Sequence, residues 1–111
     1  VCDVLSMDDL TASPPDAIVN ATPVGMTGGP APDDSPVPPS VLGACKPGTV
    51  IFDTVYNPIQ TPMLRAAHER DLPTIDGVAM FVRQAALQFE GWTAQPAPTG
   101  LFERIVAEHL A

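Results

Sequence analysis

The sequence predicts an α/β fold in which short parallel strands alternate with helices and a last helix closes the C-terminal end. Three observations predict it. Short β-branched or apolar segments bounded by turn residues stand at 17–20, 49–53 and 74–75. Helix-start signals and an apolar period near 3.6 residues stand between and after them. Alternation of the two element types favours parallel strands joined by crossovers over hairpins.

Taken in order, residues 1–5 are short and partly apolar and predict an edge strand, and residues 7–10 predict one helical turn with Ser6 as its cap. Ser13-Pro14-Pro15-Asp16 breaks the chain ahead of strand 17–20. Residues 25–39 hold Gly28-Gly29-Pro30 and Asp33-Asp34-Ser35. In isolation that composition would suggest a linker, but between two strands it reads as a surface excursion. Val41-Leu42 predicts a short turn of helix before Lys46-Pro47-Gly48. Residues 49–53 are the clearest strand. Thr61-Pro62 opens a helix, with Thr as N-cap and Pro at the first helical position, and Asp71-Leu72-Pro73 ends it. After strand 74–75, Asp76-Gly77 turns the chain into a helix over about residues 79–92. Val78, Phe81, Val82, Ala85, Phe89 and Trp92 form its apolar stripe. Residues 94–100 are a proline-containing joint, and the final helix carries Leu101, Phe102, Ile105, Val106 and Leu110 on one face.

The chain has 111 residues, which is one domain by length and too short for a two-lobed enzyme. Apolar residues make up 45%, which argues against disorder in spite of 14 prolines. The formal net charge of −8 argues against a nucleic-acid groove and against an anionic membrane surface. No apolar run approaches the roughly 20 residues of a membrane span. No secretory leader pattern is visible. Val1 in place of an initiator Met reads as a segment of something larger. Cys2 and Cys45 have no metal or redox spacing and read as two reduced thiols of a cytoplasmic protein. The Asp8-Asp9 and Asp33-Asp34 pairs read as solvated charge without the spacing of a calcium loop. His68 and His109 accompany no nucleophile; His109 suits the favourable dipole of a helix C-terminus.

In open parallel sheets, ligands bind beyond the carboxyl ends of the strands. Three segments with unusual polar or glycine residues fall there: 20–26, 53–57 and 76–77. Together they carry a resemblance. Asn20-Ala21-Thr22-Pro23-Val24-Gly25-Met26 is close to an NATPxGM motif. Asp53-Thr54-Val55-Tyr56-Asn57-Pro58, followed by Thr61-Pro62-Met63-Leu64, is like DxxYNPxxTPLL. Asp76-Gly77-Val78-Ala79-Met80-Phe81-Val82-Arg83-Gln84-Ala85-Ala86, running on to Phe89-Glu90-Gly91-Trp92-Thr93, is like DGxxMLVxQAAxxFExWTG. In this order and spacing, over roughly residues 15–93, they resemble the C-terminal half of the shikimate dehydrogenases. Departures are small: Phe81 stands where Leu is usual, Arg83 at a variable position, and Ala94 where Gly commonly follows Trp-Thr.

The resemblance implies a partial Rossmann-like parallel sheet with flanking helices and C-terminal helical closure. Residues 1–93 would be the later part of an NADP-binding domain, and residues 94–111 a helix packing towards a missing substrate lobe. It implies NADPH-dependent, reversible reduction of 3-dehydroshikimate to shikimate, in aromatic amino acid biosynthesis. The family's Lys/Asp catalytic pair and glycine-rich phosphate loop have no counterpart here; the only Lys is Lys46. By the same resemblance Tyr56 and Gln84 would bind the substrate. A phenol and an amide both suit a polyhydroxylated ring. Cofactor contacts would come from Asn20, Ala21 and Thr22 lining a groove, and from the backbone of Thr54. Gly77 would supply close backbone approach and an unusual φ, and Met80 would pack near the nicotinamide. Asp53 reads as a local hydrogen-bonding group. Quinate/shikimate and aminoshikimate dehydrogenases share these motifs and stay open. So does a different class, a non-catalytic split fragment acting as a binding or assembly module, motivated by the absent phosphate loop. A bare sheet edge would be an association hazard, so a complementary chain or a homodimer is expected.

Overall fold

A computed structural model describes residues 2–110. The elements are α1 (Met7–Ala12), β1 (Ala17–Asn20), α2 (Pro39–Ala44), β2 (Val50–Asp53), α3 (Pro62–His68), β3 (Thr74–Ile75), α4 (Gly77–Thr93) and α5 (Thr99–Leu110). The strands form one parallel sheet in the order β1-β2-β3. Val19 pairs with Phe52, and Phe52 with Ile75; Asn20 pairs with Asp53. The expected edge strand at 1–5 does not form: residues 2–6 are irregular, and Val1 lies outside the described residues. In its place, Ser6 closes a capping box with Asp9, its hydroxyl accepting from the Asp9 N–H and the carboxylate accepting from the Ser6 N–H.

Strand alternation gives the sheet two different faces. Ile18 and Ile51 point into the core, where Val41 and Leu42 of α2, Met63, Leu64 and Ala67 of α3, and the loop residue Val37 cover them. The opposite face carries Val19, Phe52 and Ile75 in register, and Val19 and Ile75 are exposed. Thr61 starts α3 as its sequence promised, its hydroxyl accepting from the Leu64 N–H, with Pro62 following at the first helical position.

The helix after Asp76 starts at Gly77, earlier than the apolar pattern suggested, because the Asp76 carboxylate accepts from the Ala79 N–H and caps it. Its buried line is Gly77, Val82 and Ala86. The stripe read from the sequence is therefore displaced: Trp92 is 82% exposed, and Phe81 is partly open. Helix α5 packs back on α4, with Phe102 meeting Phe89 edge to face at 6.0 Å between ring centroids. Ala94, at φ 54°, takes the left-handed position between them that glycine occupies without strain. Both cysteines are free, and Cys45 donates its S–H to the Val41 carbonyl. Burial pushes the Cys45 thiol above its ordinary range, against a smaller opposing effect of Thr49. No described helix is long and apolar enough to cross a membrane.

Candidate functional site

Parallel strands put their carboxyl ends along one edge, and there the chain builds a buried polar knot. The Asn20 side chain uses all its capacity. Its amide donates to the Asp53 carboxylate (3.0 Å) and to the Val24 carbonyl (3.1 Å). Its oxygen accepts from the N–H (2.9 Å) and the hydroxyl (2.7 Å) of Thr22. Asp53, fully buried, also accepts from the Val55 N–H (3.0 Å) and the Thr61 hydroxyl (2.7 Å). One carboxylate thus joins the end of β1, the end of β2 and the cap of α3. Buried polar groups are stable only when their partners are complete, and no buried side-chain N or O among the described residues lacks one. Asp53 is the local hydrogen-bonding group that the sequence suggested. Thr61 is a full member of the knot, which its pattern as an N-cap did not reveal.

The knot holds two loops open as the walls of a groove. Gly25, at φ +88°, lets the first loop turn, and its N–H donates to the Ala31 carbonyl. The Thr27 N–H donates to the Asn57 carbonyl and ties the first loop to the second. Between them lies a groove of about 400 Å3 lined by Ala21, Thr22, Pro23, Met26, Thr27, Thr54, Val55, Tyr56 and Asn57. Ala21, Thr22, Thr54 and Tyr56, four of the residues singled out in the sequence, are brought together here. Asn20 is not at the surface: it is 3% exposed and serves as scaffold behind the wall. The N–H and hydroxyl of Thr54 are both taken by the Asn20 carbonyl.

Gly77 joins this edge from the third strand. A Cβ built on it would lie 2.4 Å from the Val55 carbonyl oxygen and 2.7 Å from that of Thr54. Its glycine is required by this seat; its φ is not in the left-handed region, so the unusual φ expected of it is not the reason. Met80 and Gln84 do share one face of α4, one turn apart, as expected. They line a second, broad groove of about 790 Å3 with Phe52, Ile75, Leu87 and Trp92. Tyr56 and Gln84 therefore open onto different hollows of this chain. The ring of Tyr56 instead meets Phe81, at 4.9 Å between centroids. The aromatic side chains at 56 and 81 were both visible in the sequence, but their contact was not.

The comparisons with known proteins fall on the same segments. The model of the shikimate 5'-dehydrogenase C-terminal domain family matches residues 77–106. A shikimate dehydrogenase (NADP(+)) of Archaeoglobus fulgidus is 44% identical over 95 residues, covering 86% of this chain and 34% of that protein. The chain matches the C-terminal part of the shikimate dehydrogenases. Two solved structures agree with this in shape. A chorismate mutase/shikimate 5-dehydrogenase fusion protein from Clostridium acetobutylicum superposes with a TM-score of 0.79 at 29% identity, over 94% of this chain and 38% of that one. The shikimate 5-dehydrogenase of Thermus thermophilus, in complex with NADP(H) and shikimate, does so with a TM-score of 0.75 at 27% identity, over 96% and 38%. The chain spans little more than a third of the length of these shikimate dehydrogenase relatives. The partial Rossmann-like sheet expected of the family is the sheet observed, with helices flanking it.

The groove fits one end of a dinucleotide better than the other. Ala21, Thr22 and Thr54 are small, so a flat ring could lie close to the backbone, and the strand ends supply polar atoms. No Lys or Arg lines it, so nothing there offsets the charge of a pyrophosphate. Among the described residues no cluster of His, Cys, Asp and Glu could hold a metal.

Proposed function

We propose that this chain is the nicotinamide-side wall of an NADP-dependent shikimate dehydrogenase, acting on shikimate and 3-dehydroshikimate. The observation that carries the reading is the convergence of Ala21, Thr22, Thr54 and Tyr56 on one groove at the carboxyl ends of the sheet, with Gly77 seated against the Thr54 and Val55 carbonyls behind it. When bound, NADPH supplies a hydride to the carbonyl carbon of 3-dehydroshikimate; a proton goes to the oxygen, and shikimate and NADP+ result. The residues of this chain bind and orient. Ala21, Thr22 and the Thr54 backbone border the space for the nicotinamide, with Gly77 and Met80 on the α4 side and Asn20 holding the wall from behind. Tyr56 offers a phenol to a substrate hydroxyl, and Gln84 an amide from α4. A Lys/Asp pair outside this chain handles the proton.

In this reading residues 1–93 complete the cofactor domain and residues 94–111 pack towards the substrate lobe. The full protein is cytoplasmic, and the uncovered sheet face meets the rest of the protein or a second copy. The relatives' own cofactor, NADP, is the one we assign.

The test is shikimate oxidation with NADP+ by the full-length protein, followed by the absorbance of the reduced nicotinamide. Tyr56→Phe and Gln84→Ala should each raise the shikimate KM or cut kcat by about tenfold, the worth of one good polar contact. Wild-type kinetics in both variants would remove these residues from the site. Turnover by the 111-residue chain alone would overturn the division of roles.

A further inference from the structure

We infer that Phe81 is a positioning residue for Tyr56: its ring sets the direction in which the phenol points at the groove. The inference rests on the reading of Tyr56 as a substrate-binding group. Tyr56 lies beyond the end of β2 in an irregular stretch, and its side chain is 40% exposed. Among the described residues its hydroxyl makes no hydrogen bond, so packing alone orients the ring. Tyr56 lines the groove with Ala21 and Thr22. It also lines a largely apolar hollow of about 230 Å3, shared with Phe81 of α4 and Ile105, Val106, His109 and Leu110 of α5. Within the hollow the direct ring contact is Phe81, tilted by 31°.

Two features separate this contact from ordinary core packing. Phe81 is 38% exposed and is not a member of the core cluster under the sheet. The path that places it is short and stiff. Gly77 sits against the carbonyls of Thr54 and Val55, the two residues ahead of Tyr56, and Phe81 follows about one helical turn later. The backbone that carries Tyr56 and the ring that braces it are thus keyed to each other through Gly77. A leucine at 81 would keep apolar contact but not the flat face that fixes a ring by its quadrupole.

The experiment is a double-mutant cycle in the full-length protein, comparing wild type, Phe81→Ala, Phe81→Leu, Tyr56→Phe and the Phe81→Ala/Tyr56→Phe double variant. The shikimate Kd is measured by calorimetry. The ring environment is read by 19F resonance of 3-fluorotyrosine-labelled protein, with Tyr56→Phe assigning the signal. Phe81→Ala should weaken shikimate binding about fivefold and Phe81→Leu about twofold. Both should shift the Tyr56 resonance, and Phe81→Ala should add nothing in the Tyr56→Phe background. Equal weakening in both backgrounds, or unchanged binding in Phe81→Ala, would overturn the positioning role. If Phe81→Ala does not fold, Phe81→Leu decides on the same two readouts. Unchanged binding in Tyr56→Phe would instead sink the substrate reading of Tyr56, and this inference with it.

Discussion

Asp53 shows how much one side chain can organise. Its two oxygens accept from Asn20 at the end of β1, Val55 just beyond β2 and Thr61 at the cap of α3. Removing it strands three buried donors at once, and each stranded donor costs more than its hydrogen bond contributed. Asp53→Ala should therefore destabilise the fold by roughly 3 kcal/mol, read as a lower urea midpoint. A loss under about 1 kcal/mol would show that water replaces the carboxylate and that the knot is not buried as described. The residue types at Asn20, Asp53 and Thr61 were legible in the sequence, and so was the cap at Thr61. Their convergence was not, because Asn20 and Asp53 lie 33 positions apart and meet only through the strand register.

At the scale of elements, the fit of α4 onto the end of β2 governs the site. The obstacle to any side chain at position 77 is backbone, the Val55 carbonyl group and the Thr54 oxygen, and backbone yields less than a side-chain tip. Gly77→Ala should lift the start of α4 away from the sheet and cost about 2 kcal/mol, typical of forced overpacking. It should also weaken shikimate binding through Phe81 and Tyr56; unchanged stability and binding would show that the seat is looser than the contact distances indicate. Element boundaries followed local chemistry where a cap was read in the sequence, at Ser6 and Thr61; Asp76, read there only as a turn, likewise accepts from a backbone N–H of the helix it opens. The predicted strand at 1–5 had an apolar pattern but no partner strand, and a strand without a ladder is not stable.

At the scale of the molecule, the radius of gyration of 15.8 Å exceeds the roughly 13 Å of a compact domain of this length. The excess fits a sheet with one covered face, and an α4–α5 pair that leaves Phe52, Ile75, Leu87 and Trp92 around an open groove. Trp92, the one tryptophan of the chain, reports on that opening. In the 111-residue chain its fluorescence should be quenched by acrylamide nearly as strongly as free indole, whereas strong protection would mean that the groove closes in solution. The sequence by itself determined the parallel α/β order, the helix starts capped by Ser6 and Thr61 and the three motifs at the strand ends, because periodicity, capping and turn chemistry act over a few residues. Only the tertiary structure decided that Asn20 is buried scaffold, that Gly77 is a steric seat, that Tyr56 leans on Phe81 rather than facing Gln84, and that Trp92 lies outside the buried stripe. Those outcomes depend on which surfaces meet across the sheet and between helices, and such meetings are set by register and packing that no local pattern encodes.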